Sequence, residues 1–303
     1  MKSLLALMLC TLCFAANFST FGQGYGSKLP EKLSEYLAIN PEYARTKAEM
    51  SIFRAAKIPA VGIAMHRAAN EFAPENTLAA MEIALDLEVD YIEMDVRQTM
   101  DGKSVILHDG NLDRTTNGKG PLSNMNFEDA RALSAGSWFD PFYAAEKIPT
   151  LEESCKLLYN HNKKSPHKTY FYVDCKDINV KVLISNLSKY NLLDESVFYV
   201  NEQQISQIRA LAPKARMLPG LSSPKDFDRL FETSHPYALD VNWKDVTKVL
   251  IEKAHAKGIK IFADGFGDDQ NIESYVMAIN AGIDVISSNK VSVICDAAER
   301  IQN

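Results

Sequence analysis

The sequence predicts an α/β fold, namely a (β/α)8 barrel of the TIM type. The chain has 303 residues, of which 46% are hydrophobic and 24% charged, so it can bury one large core. From residue 58 onward, short β-rich runs alternate with longer amphipathic stretches, a pattern typical of βαβ units around a parallel sheet. Such a barrel needs about 250 residues, so residues 58–303 are predicted to form one barrel.

The predicted barrel region contains more strand candidates than an eight-stranded barrel holds. The candidates are Ala60–Met65, Val89–Val96, Ser104–His108, Thr169–Cys175, Val197–Val200, Arg216–Leu218, Ala238–Val241, Lys260–Ala263 and Val285–Ser288. The second and third are too close for a crossover helix, and Asp101-Gly102 lies between them, so we predict a hairpin. With these two as turn residues, His108 would face Asp95 on the same side as Glu93.

The segment before the barrel is predicted to have two parts. Lys2 precedes an apolar run from Leu4 to Ala16 and then small and polar residues, which is the layout of a secretory signal peptide, assigned to residues 1–22. The apolar run is shorter than a bilayer-spanning helix, so no stable membrane span is expected. Residues 23–57 are predicted to be a helical lead-in. The expected location is therefore exported, either periplasmic or extracellular.

Residues 109–150 are predicted to form a small insertion after the third strand. This stretch is rich in Gly, Asn and Asp at its start and has no clear period. Barrel enzymes build substrate sites from segments that follow the carboxyl ends of strands, and a loop of this length is more often functional than idle.

Charge and cysteine content narrow the class of protein. The formal net charge of −6 gives no support to nucleic-acid binding, because phosphate backbones attract basic surfaces. Beyond the predicted signal peptide the cysteines are Cys155, Cys175 and Cys295, an odd and widely spaced set that predicts buried free thiols. The expected partner is a small molecule, and the sequence leaves the oligomeric state open.

Polar side chains stand at the carboxyl ends of four predicted strands. They are His66, Arg67, Glu93, Asp95, His108, Asp174 and Lys176. Burying one such group alone is unfavourable, whereas a converging set can share a cation or satisfy one another. We therefore predict a functional site where these strands end.

The run HRAANEFAPENTLAAMEIALDLEVDYIEMDVRQTMDGKSVILHDGNLDRTTNGKG, which starts at His66, resembles the signature region of the glycerophosphodiester phosphodiesterase family. The motifs that carry the resemblance are His66-Arg67, Pro74–Thr77, Glu93 with Asp95, His108-Asp109, Leu112–Thr116 and Ile148–Glu153. It is strong over roughly residues 60–180 and weaker over the last hundred. The resemblance implies a barrel of the phospholipase C-like phosphodiesterase type that hydrolyses glycerophosphodiesters to glycerol phosphate and an alcohol.

The resemblance also implies a cation and its ligands. Glu93, Asp95 and Asp174 would hold one divalent cation, Ca²⁺ or Mg²⁺, since both prefer oxygen ligands. Arg67 and Lys176 would bind the substrate phosphate, the arginine through a bidentate fork.

Two histidines are the expected acid and base. Histidine side chains ordinarily titrate near neutrality, and His66 and His108 would act on opposite sides of phosphorus. A route through a cyclic phosphate, in which the glycerol hydroxyl attacks its own phosphate, and direct attack by water would use the same residues.

Three departures from the family pattern leave the metal and the alcohol open. Ala68 stands where glycine usually follows His-Arg, and Asp174 stands where glutamate is more frequent. Near the end of the seventh barrel strand, Ala263-Asp264-Gly265-Phe266 replaces Trp-Thr-Val-Asn, so the tryptophan expected beside the glycerol is absent.

Residues around the motifs are given mainly structural roles. Asn76 is predicted to be the N-cap of the next helix, and Glu75 either supports that cap or reaches the site. Asp113 is expected to pair with Arg114 inside the insertion.

Two other functions are compatible with the same motifs. A lysophospholipase D or sphingomyelinase D-like activity would use a similar barrel but needs an apolar surface at the mouth of the site. A non-catalytic binding protein would normally lack a histidine or a carboxylate, and all of them are present here.

Overall fold

The computed structural model describes residues 30–55, 61–265 and 271–302, so the predicted signal peptide lies outside the described residues. Two helices, α1 (Glu31–Ala38) and α2 (Pro41–Ala55), precede the first strand. Helix α2 packs against the last helix, α11 (Val291–Gln302), and Arg54 of α2 donates two hydrogen bonds to the Glu88 carbonyl. The described helices include none that is long and apolar enough to cross a membrane.

In the described part of the chain, one sheet contains all ten strands. The strands are β1 (Gly62–Met65), β2 (Tyr91–Gln98), β3 (Ser104–Ile106), β4 (Tyr170–Cys175), β5 (Val197–Tyr199), β6 (Arg216–Leu218), β7 (Gly220–Leu221), β8 (Ala238–Asn242), β9 (Lys260–Asp264) and β10 (Val285–Ser288). The remaining helices are α3 (Leu78–Asp86), α4 (Phe127–Ala132), α5 (Leu151–Lys164), α6 (Val180–Lys189), α7 (Glu202–Leu211), α8 (Phe227–Ser234), α9 (Lys248–Ala256) and α10 (Ile272–Ala281).

The sheet curls into a nearly closed barrel in the order β6-β5-β4-β2-β1-β10-β9-β8-β7. Strands β6 and β7 are separated only by Pro219, which has no N–H to donate. The Tyr237 amide donates to the Met217 carbonyl at 3.0 Å and the Asp240 amide to the Pro219 carbonyl at 3.1 Å, which joins the two ends of the sheet. Because β6 and β7 together fill one position, the nine parallel strands occupy eight positions, and the predicted (β/α)8 barrel is confirmed.

The hairpin of β2 and β3 forms as predicted, but its predicted register is wrong by one residue. Val96 pairs with Ile106, so Leu107 rather than His108 lies opposite Asp95. The loop contains three residues that end in Gly102, whose φ of +79° is a left-handed conformation that glycine adopts without steric cost. The predicted turn had two residues and omitted the third. The extra loop residue shifts the pairing by one, so His108 does not pair with Asp95.

The segment between β3 and α5 packs around a small core of its own. That core consists of Val105, Leu107, Leu112, Leu122, Ala130, Ala135 and Ile148. Outside it, the ring of Phe142 stacks on Tyr36 of α1 with centroids 4.0 Å apart. The segment is thereby fixed to the N-terminal helices at one side and begins directly after the carboxyl end of β3.

The barrel interior has an apolar layer beneath a polar one. The apolar layer is Ala64, Tyr91, Tyr172, Val197, Leu218, Ala238, Phe262 and Val285. Side chains two residues apart on a strand share a face, so the next inward positions are Glu93, Asp174, Tyr199, Asp240, Asp264 and Ser287. The polar layer therefore lies at the carboxyl ends of the strands. Outside both layers, the three cysteines of the described chain are free and buried, as predicted.

Candidate active site

A cavity of about 430 Å³ opens at the carboxyl ends of the barrel strands, within the size range of small-molecule sites. Five of the predicted site residues line it: His66, Glu93, His108, Asp174 and Lys176. The other two, Arg67 and Asp95, lie behind this lining. Arg67 contacts Glu93, and Asp95 contacts Lys176. The structure thus brings all seven predicted residues to one place.

Three carboxylates form a compact group, which we call the carboxylate cluster: Glu93, Asp95 and Asp174. Asp95 and Asp174 are register partners on neighbouring strands, and Glu93 lies two residues before Asp95 on the same face. One oxygen of each lies within 4.8 Å of the others. Burial, followed by the charges of Asp95 and Asp174, raises the pKa of Glu93 well above its usual range, and burial also raises the pKa of Asp174.

The carboxylate cluster fits a hard divalent cation. All of its donors are oxygens, and the buried Oδ1 of Asp95 has no hydrogen-bond partner among the described residues. The Lys176 ammonium compensates only part of the charge, at 2.5 Å from an Asp174 oxygen and 3.4 Å from Asp95 Oδ1. A cation between these oxygens would relieve the repulsion that burial intensifies.

The loop after β1 is held in a strained conformation by Glu93. Arg67 and Ala68 have φ values of +53° and +62°, in the left-handed region that residues with a Cβ rarely adopt. The Arg67 amide donates to the Glu93 carboxylate at 2.5 Å, and the Ala68 amide donates to the Glu93 carbonyl at 3.1 Å. Ala68 thus takes, at some steric cost, the conformation that a glycine adopts freely.

Glu75 belongs to the site rather than to the cap of the next helix. Its carboxylate accepts hydrogen bonds from Arg67 at 3.1 and 3.3 Å and from Arg114 at 2.7 and 2.8 Å. Burial opposes ionisation of Glu75, but the hydrogen bonds and charges of the two arginines outweigh it and lower its pKa. The Nε of Arg67 is buried and has no hydrogen-bond partner in the described chain.

Asn76 orients Asp95, and its predicted role as an N-cap is wrong. The cap is Thr77, whose hydroxyl accepts from the Ala80 amide at 3.3 Å. Asn76 is buried with φ +59°, donates from Nδ2 to Asp95 Oδ2 at 2.7 Å, and accepts from the Asp95 amide at 3.3 Å. The sequence contained one indication of this role. Asparagine tolerates the left-handed backbone region, whereas an N-cap residue has an extended backbone.

His66 is a half-buried imidazole whose hydrogen bonds define its tautomer. Its Nδ1 lies 2.7 Å from Asn289 Oδ1, an oxygen that also accepts from the Asn70 amide group at 2.8 Å. Because that oxygen is an acceptor, the network assigns the hydrogen to Nδ1 and leaves the lone pair on Nε2. Burial lowers the pKa of His66 despite the Asn289 hydrogen bond and the charge of Asp95, so the neutral form prevails at pH 7.

His108 has a carboxylate partner instead of an amide. Its Nδ1 lies 2.7 Å from Asp109, which also accepts from Arg114 at 2.8 and 3.0 Å. The hydrogen bond from Arg114, followed by that from His108, lowers the pKa of Asp109 and keeps it ionised. The expected pair of Asp113 and Arg114 is wrong, because Arg114 bridges Asp109 and Glu75 while Asp113 accepts from the Gly120 amide at 2.9 Å.

A second acidic pair lines the same cavity and was not recognised in the sequence. Asp240 is an inward-facing residue in the middle of β8, and Asp264 is the last residue of β9. Asp264 directly follows the predicted strand Lys260–Ala263, so the rule that selected the carboxylate cluster could have found it, whereas Asp240 lies inside its predicted strand.

The fold and the cavity define a barrel enzyme of the phosphodiesterase class, with two histidines beside a cluster of oxygen ligands. The sequence model of the Glycerophosphoryl diester phosphodiesterase family matches residues 66–293, and the chain belongs to this family. The glycerophosphodiester phosphodiesterase of Caldanaerobacter subterraneus subsp. tengcongensis is 31% identical over 232 residues, which are 73% of this chain and 90% of that protein.

Other relatives match shorter stretches or share mainly the fold. The putative glycerophosphodiester phosphodiesterase YhdW of Bacillus subtilis is 46% identical over 102 residues, which cover 34% of this chain and 41% of YhdW. A glycerophosphodiester phosphodiesterase structure from Agrobacterium tumefaciens superposes with a TM-score of 0.70 at 26% identity, covering 78% of this chain and 99% of that one. An Oleispira antarctica phosphodiesterase, solved with sn-glycerol-3-phosphate, superposes equally well at 0.70 but at 23% identity, over 81% and 98% of the two chains, which shows the shared fold alone.

Removing the Asn76 side chain is expected to impair the site through Asp95. Both Asn76→Ala and Asn76→Gly delete the hydrogen bond, and the loss of a residue that orients a metal ligand costs about 10–100-fold in affinity or activity. We expect kcat/KM of both variants to fall by that factor. Glycine keeps the left-handed backbone without strain, so the difference in melting temperature between the two variants isolates the backbone effect.

Asn186→Ala on α6 is the matched control, because this amide donates to the Val182 carbonyl of its own helix. If both Asn76 variants matched the parent in kcat/KM, Asn76 would have no part in orienting Asp95.

Proposed function

We propose that the protein hydrolyses glycerophosphodiesters to glycerol phosphate and an alcohol. One observation carries this proposal: His66, His108 and the carboxylate cluster meet in one cavity of a chain that belongs to the glycerophosphoryl diester phosphodiesterase family. The Caldanaerobacter relative, which this chain covers almost completely, bears the name of that activity.

In this proposal the carboxylate cluster holds one divalent cation, Ca²⁺ or Mg²⁺. The support is the set of three oxygen donors and the buried Asp95 Oδ1, which accepts no hydrogen bond from the described residues. When bound, such a cation offsets the negative charge that accumulates on the phosphate during hydrolysis.

Arg67 and Lys176 are the proposed ligands of the phosphate. The Nε of Arg67 lacks a hydrogen-bond partner among the described residues, and its guanidinium is oriented by Glu75. Burial disfavours the charged form of Lys176, but the hydrogen bond to Asp174 and the charge of Asp95 outweigh burial and raise the pKa of the lysine. Lys176 is therefore positive at neutral pH.

The two histidines have different surroundings, which assign them different proposed roles. His66 is neutral with its lone pair on Nε2, so it accepts the proton of the attacking hydroxyl, whether from the glycerol or from water. His108 donates a proton to the departing alkoxide oxygen, and the Asp109 carboxylate stabilises the positive imidazole that this requires. Trapping a cyclic glycerol phosphate would distinguish the two nucleophiles.

The composition of the cavity disfavours a lipid substrate. The described residues that line it include charged, amide, hydroxyl and tyrosine side chains but no aliphatic one. A lysophospholipase D or sphingomyelinase D-like activity would need apolar surface for an acyl chain. A headgroup-sized polar diester suits this lining better.

Location outside the cytoplasm is a further proposal, which rests on the signal-peptide pattern of residues 1–22 alone. Mass spectrometry of the N-terminus of protein from the native host would reveal whether this segment is removed.

Chelation is expected to abolish turnover, and Ca²⁺ or Mg²⁺ is expected to restore it, because the cluster offers only oxygen ligands. The measurement is the rate of glycerophosphodiester hydrolysis after EDTA treatment and after adding back each ion. Asp174→Asn should need a higher cation concentration for half-maximal rate, whereas Glu152→Gln, an exposed carboxylate bonded to Lys189, should not. Full activity in EDTA would exclude a cation from the reaction.

His66→Ala and His108→Ala are each expected to lower kcat by about 10² to 10⁴-fold on natural diesters, the usual contribution of a general acid or base. A nitrophenyl diester has a good leaving group and needs little proton donation. His108→Ala should therefore recover most of its loss on this substrate, and His66→Ala should not.

The matched control is His255→Ala, which removes an exposed imidazole on α9 that pairs with Asp284. Near-parent rates of both active-site variants, with circular dichroism unchanged, would contradict the two-histidine mechanism. If His66→Ala rather than His108→Ala recovered its rate on the nitrophenyl diester, His66 would be the general acid and His108 the general base.

A further inference from the structure

Arg97 connects two loops that carry proposed catalytic groups. It lies two residues after Asp95, on the same face of β2 as the carboxylate cluster, and its side chain is 16% exposed. Its Nε donates to the His108 carbonyl at 2.8 Å, and its guanidinium forms an ion pair with Asp177. Asp177 directly follows Lys176, the proposed phosphate ligand. One side chain therefore joins the loop of the proposed acid to the loop of the phosphate ligand.

The backbone of His108 lies just beyond the pairing of β2 with β3. Strand β3 ends two residues earlier, and the Leu107 amide donates to the Asp95 carbonyl at 3.0 Å. The next carbonyl is that of His108, and it accepts the hydrogen bond from Arg97. A Cβ on Gly110 would lie 4.0 Å from Arg97 Nη1, so the guanidinium lies close to the backbone of residues 108–110. A charged donor to a carbonyl forms a stronger hydrogen bond than a neutral one, so Arg97 extends the hold of the sheet on this loop.

His108 is thus held at two points. Asp109 holds the ring through Nδ1, and Arg97 holds the backbone from which the ring extends. Proton donation requires the other ring nitrogen to lie within hydrogen-bond reach of the departing oxygen. A misplacement of about 1 Å can cost about 10²-fold in rate, so the backbone contact matters for the reaction as well as for the fold.

We propose that Arg97 is a positioning residue for the proposed general acid, which keeps His108 in place for proton donation to the leaving oxygen. This inference rests on the proposed function and adds a residue to its mechanism. A purely structural role would lower the rates on all diesters equally. A positioning role lowers the rate only where the leaving group needs a proton.

The first test compares two diesters in Arg97→Met, which removes the charge and all donors but keeps an unbranched side chain. We expect kcat to fall about 10²-fold on a glycerophosphodiester of an alkyl alcohol. On the nitrophenyl diester, which needs little proton donation, the loss should be less than about tenfold. Arg97→Lys keeps the charge without the planar fork and should lie between the parent and Arg97→Met. Equal losses of Arg97→Met on both diesters would overturn the inference.

Arg54→Met is the matched control at the amino end of β2. The Arg54 Nε donates to the Glu88 carbonyl at 3.1 Å, and its Nη2 pairs with Asp90 at 2.9 Å, so it makes the same two kinds of contact. The ratio of kcat between the two diesters should equal that of the parent. A ratio that changed as much as in Arg97→Met would attribute the effect to lost stability and overturn the inference.

A double-mutant cycle identifies the group through which Arg97 acts. In a His108→Ala background the acid is already absent, so adding Arg97→Met should cause little further loss on the alkyl diester. If the two losses multiplied, Arg97 would act independently of His108 and the inference would be wrong.

Nuclear magnetic resonance of the histidine rings separates this inference from the proposed function, because it needs no turnover. The chain has six histidines, and His108→Ala assigns the ring signal of that residue. Arg97→Met should shift the His108 signal, whereas Arg54→Met should not. A shifted signal without hydrolysis of any diester by the parent would support the positioning of His108 and overturn the proposed hydrolysis. An unshifted signal with full hydrolysis by the parent would overturn the inference and leave the proposed function standing.

Discussion

The pair of hydrogen bonds between Glu93 and the loop after β1 is the interaction on which the rest of the site depends. The same residue contributes a carboxylate to the cluster and fixes the backbone of Arg67 and Ala68 in the left-handed region. That loop begins with His66, so the position of the proposed base and the position of the proposed cation are both set by one residue, through its carboxylate and its backbone carbonyl. A change at Glu93 would therefore disturb charge and geometry together, and its kinetic effect could not be divided between them.

A chain of alternating charges links the insertion to this loop. His108 bonds Asp109, Asp109 bonds Arg114, Arg114 bonds Glu75, and Glu75 bonds Arg67. These side-chain contacts connect His108 to Arg67, the residue that follows His66, and they do not pass through the strands. Because Asp109, Arg114 and Glu75 each have partners on both sides, none of the three depends on a single exposed pair, which alone would contribute little.

The arrangement of the barrel and the gathering of the seven predicted site residues could be predicted from sequence, because parallel strands end at a common edge. What could not be predicted depended on details that sequence spacing does not contain. The register of His108 required the number of loop residues before β3, and the role of Asn76 required its backbone conformation. Arg114 directly follows Asp113 in sequence, and only the fold shows that its partners are Asp109 and Glu75. Asp240 looked like one more strand residue because its partner in the cavity lies on another strand.

The apolar layer beneath the polar one fills the amino-terminal side of the barrel, so the cavity opens at the carboxyl ends of the strands. Tyr91, Tyr172 and Phe262 pack ring against ring below the cavity, with centroids 5.3 and 6.2 Å apart, and fill the barrel toward the amino ends of the strands. Substrate enters and both products leave by the same mouth. Each product therefore delays the next turnover for as long as it stays bound, and the slowest product to dissociate sets the upper limit of the catalytic rate.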